Sequence, residues 1–251
     1  MSTTVAAPSA AAVIGSTGLV GSLILSNMIA LDMYKPVHTI TRRAPKTTSP
    51  NLNSVIDSDT TKWASALSTL SPSPHSVFSA LGTTRAAAGG IENQWKIDHD
   101  LNIELAKAAK AAGVKTFVFV SSGGTRLPAV STLSPYAKMK NGVEDAVRDM
   151  GFEHAIILKP GMILGEREQS RLAEGLFQSV VRSLGKVSAG LQNTIGQDAE
   201  VIARAALKAA KLAEGGQAPN KYWVVEAGDI LKLGKTDWDG PVGASAVQEK
   251  A

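Results

Sequence analysis

Short apolar stretches rich in β-branched residues alternate with longer segments of helical periodicity along most of the chain. This alternation is typical of βαβ units arranged around a parallel sheet. Strands are predicted at 10–14, 37–41, 54–56, 76–81, 116–120, 154–158 and 222–225. A first helix is predicted to end near residue 31. Further helices are predicted at about 61–70, 95–112, 135–150, 172–184 and 198–213. The pattern predicts an α/β fold with one doubly wound parallel sheet and helices on both faces.

Composition excludes several classes of function. The 251 residues contain no cysteine, which excludes disulfides, thiolate metal sites and cysteine nucleophiles. The four histidines are widely separated and give no metal-ligand spacing, so no metal is expected. The net charge of +4 is spread along the chain without a basic tract, so no nucleic-acid partner is expected. No apolar stretch reaches the length of about 18 residues that a transmembrane helix needs.

A glycine-rich turn, Gly-Ser-Thr-Gly-Leu-Val-Gly, follows the first predicted strand. In a strand–turn–helix unit, such glycines permit a tight turn, a close approach of the backbone to a pyrophosphate, and close packing of the helix. The helix N-terminus adds unpaired N–H donors and a partial positive charge. The motif therefore predicts a Rossmann-like dinucleotide site, although its spacing is GxxGxxG rather than GxGxxG. Its predicted members are Gly15, Ser16, Thr17, Gly18, Leu19, Val20 and Gly21.

The end of the second predicted strand indicates which dinucleotide binds. NAD sites usually carry Asp or Glu about 20 residues past the glycines, where the carboxylate holds the ribose 2′-hydroxyl. Here the strand ends in Arg42 and Arg43, and the next acidic residue is Asp57, which is included in the predicted cofactor site. A guanidinium can grip a 2′-phosphate with two charge-assisted hydrogen bonds, whereas a carboxylate would repel it. We therefore predict NADP(H), with Arg42 as the first candidate and Arg43 as the second. The alternative is that both arginines are solvated surface residues.

Candidate catalytic residues follow the fifth predicted strand. Tyr136 and Lys140 are four residues apart on a predicted helix and therefore share one face. A phenol alone is a poor acid–base group at neutral pH, and a nearby ammonium stabilises its anion. A serine hydroxyl at a strand end can hold a carbonyl oxygen as charge develops on it. We favour Ser122 for this role, with Ser121 as the alternative, because neighbouring strand residues face opposite sides.

Two further groups of residues have expected positions. Glu144 and Asp145 are expected on the solvated face of the helix that carries Tyr136. The helix predicted over 95–112 is expected to bury one face, made of Ile97, Leu101, Leu105, Ala108 and Ala112.

The glycine motif, the strand-end serine and the Tyr-x-x-x-Lys pair together resemble the short-chain dehydrogenase/reductase superfamily. More narrowly, the chain is similar to the atypical branch that includes the fungal Fmp-type proteins of the mitochondrial proteome and the mammalian Tat-interacting oxidoreductase-like protein. The segments that carry this resemblance are LGTTR at 81–85, IDHD at 97–100, FVFVSS at 117–122, YAKMK at 136–140 and KPGMILGEREQSR at 159–171.

The resemblance implies a catalytic role for three residues. Ser122 would hold the substrate oxygen, Tyr136 would be the acid and base, and Lys140 would support Tyr136 and hold the nicotinamide ribose. The central helix has Asp98 at a position where many extended members of the superfamily have Asn. The resemblance also implies a mitochondrial protein that associates peripherally with the outer membrane.

Further cofactor contacts are implied on both sides of the dinucleotide. Leu81, Gly82 and Thr83 would wall the adenosine side, and Pro160 and Gly161 would close over the nicotinamide.

These features predict one domain and one leading function. Residues 1–9 are predicted to be a flexible leader rather than a targeting signal, because a mitochondrial presequence would be rich in arginine. Residues 10–233 form the NAD(P)-binding domain, including a small substrate region at about 160–233, and residues 234–251 form a loose tail. We expect an NADP(H)-dependent oxidoreductase acting on a small carbonyl or alcohol substrate. The alternative is an NADPH-binding regulatory or scaffold protein with little turnover. No feature sets an oligomeric state.

Overall fold

A computed structural model describes residues 9–165 and 196–240. The strands in these residues are β1 (Ala11–Ile14), β2 (Val37–Thr41), β3 (Leu52–Ile56), β4 (Ser76–Ser79), β5 (Thr116–Val120), β6 (His154–Lys159), β7 (Met162–Leu164), β8 (Gly196–Asp198) and β9 (Tyr222–Glu226). The α-helices there are α1 (Leu19–Ala30), α2 (Trp63–Ser68), α3 (Arg85–Ala88), α4 (Ile91–Trp95), α5 (Asn102–Ala111), α6 (Pro128–Leu133), α7 (Pro135–Asp149), α8 (Ala199–Glu214) and α9 (Ala227–Leu231). A 3₁₀ turn (Thr60–Lys62) and two π-helical turns (Lys96–Leu101 and Lys232–Thr236) complete these elements.

Seven strands form one parallel sheet in the order β3-β2-β1-β4-β5-β6-β9. Strand β1 pairs with β2 on one side and with β4 on the other, so that Ala11 is in register with both Val37 and Ser76. The strand order reverses at this point, and ligands of doubly wound sheets bind outside the carboxyl ends of the strands at such a reversal. The small second sheet pairs β7 with β8. The predicted fold class is confirmed.

Helices cover both faces of the large sheet and give two apolar cores. Along β5, Phe117 and Phe119 face the core that contains residues of α2, α5 and α7, whereas Val118 and Val120 face the core that contains residues of α1 and α8. Strands buried on both faces are continuously apolar rather than alternating. This explains why β5 has the bounds predicted from the sequence.

Asp198 begins α8 as its N-cap, because its side chain accepts the backbone N–H of Glu200 at 2.8 Å. The helix predicted over 198–213 therefore begins where the sequence indicates. The helix predicted over 172–184, residues 1–8 and residues 241–251 lie outside the described residues. The predicted domain boundary at residue 233 is too early, because the second π turn continues to Thr236 and the backbone oxygen of Val201 packs tightly against Gly234.

The helix predicted over 95–112 is interrupted. It consists of the end of α4, the first π turn and α5. A π turn adds one residue to the helical repeat and rotates the following positions. The buried face expected from regular spacing is therefore partly wrong. In this region the buried positions are Gln94, Asp98, Leu101, Asn102, Leu105, Ala106 and Ala109.

Candidate nucleotide and active site

The glycine loop follows β1, and glycine is required at two of its positions. Gly15 has a φ of +79°, and a Cβ on this residue would lie 2.7 Å from the carbonyl carbon of Ala80. A Cβ on Gly21 would lie 2.2 Å from the carbonyl oxygen of Gly15. The first turn of α1 therefore packs directly on the loop, as a pyrophosphate-binding turn requires.

The N-terminus of α1 offers donors to an anion. Its N-cap, Gly18, supplies no side-chain hydrogen bond, and the first turn contains no acidic residue. Thr17 and Gly18 are exposed, whereas the hydroxyl of Ser16 is buried and has no hydrogen-bond partner in the described residues. Free N–H groups, the positive end of the helix dipole and an unsatisfied hydroxyl are suited to a phosphate. Among the other predicted members, Val20 packs in the core and Leu19 is half-buried.

Arg42 and Arg43 follow β2, which pairs with β1, so both lie at the sheet edge that carries the glycine loop. Both side chains are exposed. Asp57 follows β3, and its carboxylate accepts the N–H of Asp59 at 2.8 Å and lies 3.9 Å from the ammonium of Lys62. The carboxylate of Asp57 thus stabilises its own turn. The two guanidinium groups are exposed at the end of β2.

The first π turn places the carboxylate of Asp98 beneath the segment that follows β4. This buried carboxylate accepts the N–H of Thr83 at 2.7 Å and the side-chain amide of Gln94 at 3.1 Å. A Cβ on Gly82 would lie 3.7 Å from Asp98 Oδ1 and 3.9 Å from Lys140 Nζ, so Asp98 and Lys140 both approach Gly82. Burial raises the pKa of Asp98, and the ammonium of Lys140 with the two donors offsets part of this rise. Gly82 and Thr83 of the predicted segment 81–83 therefore lie beside Asp98, and Gly82 also lies beside Lys140.

Asn102 stabilises the π turn from inside the fold. Its side-chain amide donates to the carbonyl oxygens of Ile97 and Asp98, at 3.1 and 3.3 Å, and its Oδ1 accepts the hydroxyl of Ser79 at 2.8 Å. Carbonyl groups displaced from regular α-helical pairing thus receive a donor. The unusual turn is fixed to β4, and Asp98 with it.

Lys140 lies on α7 and is buried against the end of β5. Its Nζ donates to the carbonyl oxygen of Val120 at 3.3 Å and lies 4.8 Å from the centre of the Phe119 ring. Tyr136 lies one turn earlier on the same helix and keeps 39% of its surface exposed. The ammonium is therefore enclosed, while the phenol is accessible to a substrate.

The two serines after β5 have different surroundings. Ser121 is buried, and its hydroxyl donates to Glu144 Oε1 at 2.5 Å. Ser122 is half-buried, and its hydroxyl makes no hydrogen bond to the described residues. Because alternate strand residues face the same side, the side chain of Ser121 lies on the side of the sheet that Phe117 and Phe119 face, where α7 packs.

The expectation that Glu144 is solvated is wrong. The carboxylate is 1% exposed, and its Oε2 accepts hydrogen bonds from Lys159 Nζ at 3.2 Å and from Arg126 Nε at 3.1 Å. Asp145 is partly exposed and pairs with Arg126 at 2.7 Å. Glu144 is charged and mid-helix, yet two cations from other parts of the chain compensate its burial.

Residues 160–165 lead from the end of β6 toward α1. The N–H of Gly123 donates to the carbonyl oxygen of Pro160 at 2.7 Å, and the N–H of Gly161 donates to the buried side chain of Gln197 at 3.2 Å. A Cβ on Gly165 would lie 3.0 Å from Leu19 Cδ1. This segment therefore connects the serine loop to the start of α1.

Five buried polar residues around the site were not identified from the sequence: Gln94, Asn102, Glu144, Lys159 and Gln197. Only two of them carry a sequence signal. Lys159 ends an otherwise apolar strand directly before Pro160, and Glu144 lies four residues after Lys140, on the same helix face.

Large apolar side chains are exposed in the segments that follow several strands. Single exposed apolar residues are ordinary. Those in the described residues are Ile56, Leu127, Val130, Leu133, Tyr136 and Met162. Each lies at the carboxyl end of a strand or in the segment that follows one.

The model of the NAD dependent epimerase/dehydratase family matches residues 11–216. The chain belongs to this family. The match covers every described strand of the large sheet except β9, and it includes both the glycine loop and the Tyr136–Lys140 pair.

Fungal members of the family are close relatives. The chain is 57% identical to "Protein fmp52-2, mitochondrial" of Aspergillus terreus over 91% of this chain and 98% of that protein. It is also 57% identical to "Protein fmp-52, mitochondrial" of Neurospora crassa over 92% of this chain and 97% of that protein. The resemblance to the Fmp-type proteins is confirmed, and these names agree with the expected mitochondrial localisation.

Two solved enzyme structures share the fold. WbmH of Bordetella bronchiseptica in complex with NAD+ has a TM-score of 0.64 at 17% identity, covering 87% of this chain and 75% of that chain. A UDP-N-acetylglucosamine 4-epimerase from Methanobrevibacter ruminantium has a TM-score of 0.65 at 18% identity, covering 87% and 76%. At this level of identity the likeness concerns the fold.

Within the described residues, no helix is both long enough and apolar enough to cross a membrane.

Proposed function

We propose that the protein is an NADP(H)-dependent oxidoreductase of the short-chain dehydrogenase/reductase type that acts on a carbonyl or alcohol group. The observation that carries this proposal is the meeting of two groups at one sheet edge. The glycine loop with the open N-terminus of α1 follows β1, and Ser122, Tyr136 and Lys140 follow β5. Membership of the NAD dependent epimerase/dehydratase family supports the same reaction class.

The residues present fit a dinucleotide. Gly15 and Gly21 leave room for a backbone approach, and the unsatisfied hydroxyl of Ser16 with the N–H groups of α1 would hold the pyrophosphate. Leu81–Thr83 would border the adenosine side, and Pro160–Gly161 would cover the nicotinamide. The bound dinucleotide supplies hydride exchange with a carbonyl carbon.

Three side chains divide the remaining work. Tyr136 gives or takes the proton at the substrate oxygen, and its exposure allows a substrate to reach it. Lys140 stabilises the phenolate anion from its buried position beside Val120. Ser122 donates to the substrate oxygen, because the hydroxyl of Ser121 is already engaged by Glu144.

Tyr136→Phe tests the catalytic assignment. We expect NADPH affinity to stay unchanged and turnover to fall by about 10²–10⁴-fold, since the proton donor is lost. Turnover is measured as NADPH oxidation with a panel of aldehydes and ketones. Tyr222→Phe is the matched control, because Tyr222 is the first residue of β9 and lies at the amino ends of the strands, away from the glycine loop. A Tyr136→Phe protein with full turnover contradicts the assignment. Binding of NADPH without turnover of any panel member favours the regulatory or scaffold function.

The choice of NADP(H) rests on Arg42 and Arg43, which are exposed at the end of β2, and on the carboxylate of Asp57 being engaged elsewhere. Arg42→Ala is expected to reduce the preference for NADPH over NADH by about tenfold or more, through loss of charge-assisted hydrogen bonds. Calorimetry gives both dissociation constants. Arg148→Ala is the control, because Arg148 lies in the last turn of α7, away from the glycine loop. An unchanged ratio removes Arg42 from the phosphate site.

We further propose peripheral association with the mitochondrial outer membrane, supported by the resemblance to Fmp-type proteins. Fractionation of mitochondria with high-salt and alkaline washes tests this. We expect the protein to sediment with the membranes and to be released by either wash. Protein that is already in the soluble fraction before washing contradicts the proposal.

A further inference from the structure

Directly behind the proposed active site, a buried carboxylate is surrounded by two buried side chains and one guanidinium that is 45% exposed. This group consists of Ser121, Arg126, Glu144 and Lys159 and is called the Glu144 cluster here. Glu144 receives one hydrogen bond from each of the other three side chains, over 2.5 to 3.2 Å. The side chains of Glu144 and Lys159 are 1% and 6% exposed.

Such a cluster fixes geometry more than it adds stability. The desolvation of two buried charges offsets most of their attraction. Separating the partners, however, leaves a buried charge uncompensated, which is costly. The carboxylate of Glu144 therefore keeps two segments against α7: the loop 121–126, which follows β5, and the end of β6.

Each of these segments continues into the proposed site. Ser121 precedes Ser122, and Lys159 precedes the Pro160–Gly161 turn. Lys140 lies one turn before Glu144 on α7, and its ammonium donates to Val120, the last residue of β5. Two successive residues of the β5 end are thus held by two successive turns of α7.

We propose that the Glu144 cluster positions the nicotinamide half of the site, with Glu144 and Lys159 as positioning residues. This inference rests on the proposed function, because it requires a dinucleotide. The adenosine half is independent of the cluster: the glycine loop and Arg42 lie at the ends of β1 and β2, on the other side of β4. Loss of the cluster should therefore affect the two halves of a bound dinucleotide unequally.

The double variant Glu144→Gln/Lys159→Met tests this asymmetry. It removes both charges with side chains of similar volume and leaves Arg126 paired with Asp145. The probes are NADPH and its fragment without nicotinamide, 2′-phospho-ADP-ribose, measured by calorimetry. If the wild type binds NADH more tightly, NADH and ADP-ribose replace them. We expect the complete dinucleotide to bind about tenfold more weakly and the fragment to change by less than about twofold.

The control is Lys211→Met/Glu214→Gln. It removes an ion pair of 3.1 Å near Ser76, at the amino ends of the strands and away from the proposed site. It should leave both affinities unchanged. Thermal unfolding establishes that each variant is folded. If the first double variant does not fold, Ser121→Ala removes only one hydrogen bond of the cluster, and the same selective loss is expected at smaller size.

An equal loss for dinucleotide and fragment, or no loss for either, overturns the positioning role and leaves the proposed function intact. If the wild-type protein binds neither reduced dinucleotide, the proposed function fails and the positioning role fails with it. The two results are distinguishable because only the second concerns the wild type.

Discussion

Replacement of Gly21 by alanine tests whether the contact between helix and loop makes the nucleotide site. The new Cβ would lie 2.2 Å from the carbonyl oxygen of Gly15, whereas real Cβ atoms do not come closer than 3.0 Å. Both partners are backbone atoms, so no side-chain rotation relieves the clash. The first turn of α1 must move away from the loop by at least about 0.8 Å, as in other overpacked cores.

The movement has two expected costs. Val20, Ile24, Leu25 and Met28 of α1 pack in the core, so the shift should lower the free energy of unfolding by about 1–3 kcal/mol. The N–H groups of the loop also lose their alignment with a pyrophosphate, and NADPH affinity should fall by at least about tenfold. Denaturant unfolding and calorimetry measure the two effects separately.

Gly228→Ala is the matched control. No atom lies within 4 Å of its Cβ position, and Gly228 lies inside α9 with no left-handed φ. Alanine there should raise stability by about 0.5–1 kcal/mol, since glycine is a poor helix former. The reasoning is refuted if Gly21→Ala is as stable as wild type and binds NADPH equally well.

Two further predictions concern buried titratable groups. Burial and the neighbouring Glu214 raise the pKa of Tyr34 well above its ordinary value, so above about pH 10 the unfolded chain loses this proton first and the free energy of unfolding falls by up to about 1.4 kcal/mol per pH unit. Urea unfolding between pH 9 and 11 should show a shallower decline in Tyr34→Phe, and identical slopes would contradict the assignment. Glu144→Gln alone should lower the free energy of unfolding by about 3–5 kcal/mol, because Lys159 is left buried and uncompensated, and adding Lys159→Met should recover most of this loss. A single variant as stable as wild type would show that water reaches the ammonium.

The sequence predicts the inner strands of the sheet best where they are apolar and buried on both faces. Thr116–Val120 is such a run and has the predicted bounds. The three-residue strands β7 and β8 and the short helices α6 and α9 were missed, since they are too short to show a period. The end of the domain was placed too early for a similar reason, because Gly234 and its neighbours carry no apolar run.

The site was predictable where local geometry dictates residue type and unpredictable where distant charges meet. The requirement for glycine at Gly15 and Gly21 follows from a turn that the sequence shows directly. The burial of Glu144 depends on Lys159 and Arg126, which reach it from other elements. A helical period cannot reveal such compensation, so a buried carboxylate was interpreted as a surface residue.

The π turn before α5 contains one residue more than a regular α-helix would need. This extra residue lowers the regularity of the helix but places Asp98 at the proposed site. Deleting a single residue between 96 and 101 would convert the π turn to ordinary α-helical pairing, and the shortened helix should form at least as readily. The same deletion would rotate Asp98 away from Gly82 and Lys140, whose surroundings it now completes. A more regular and equally well-folded chain would then have lost part of the wall of the proposed active site. Selection for stability alone would therefore tend to erase this irregularity, and its presence supports a role in the proposed site.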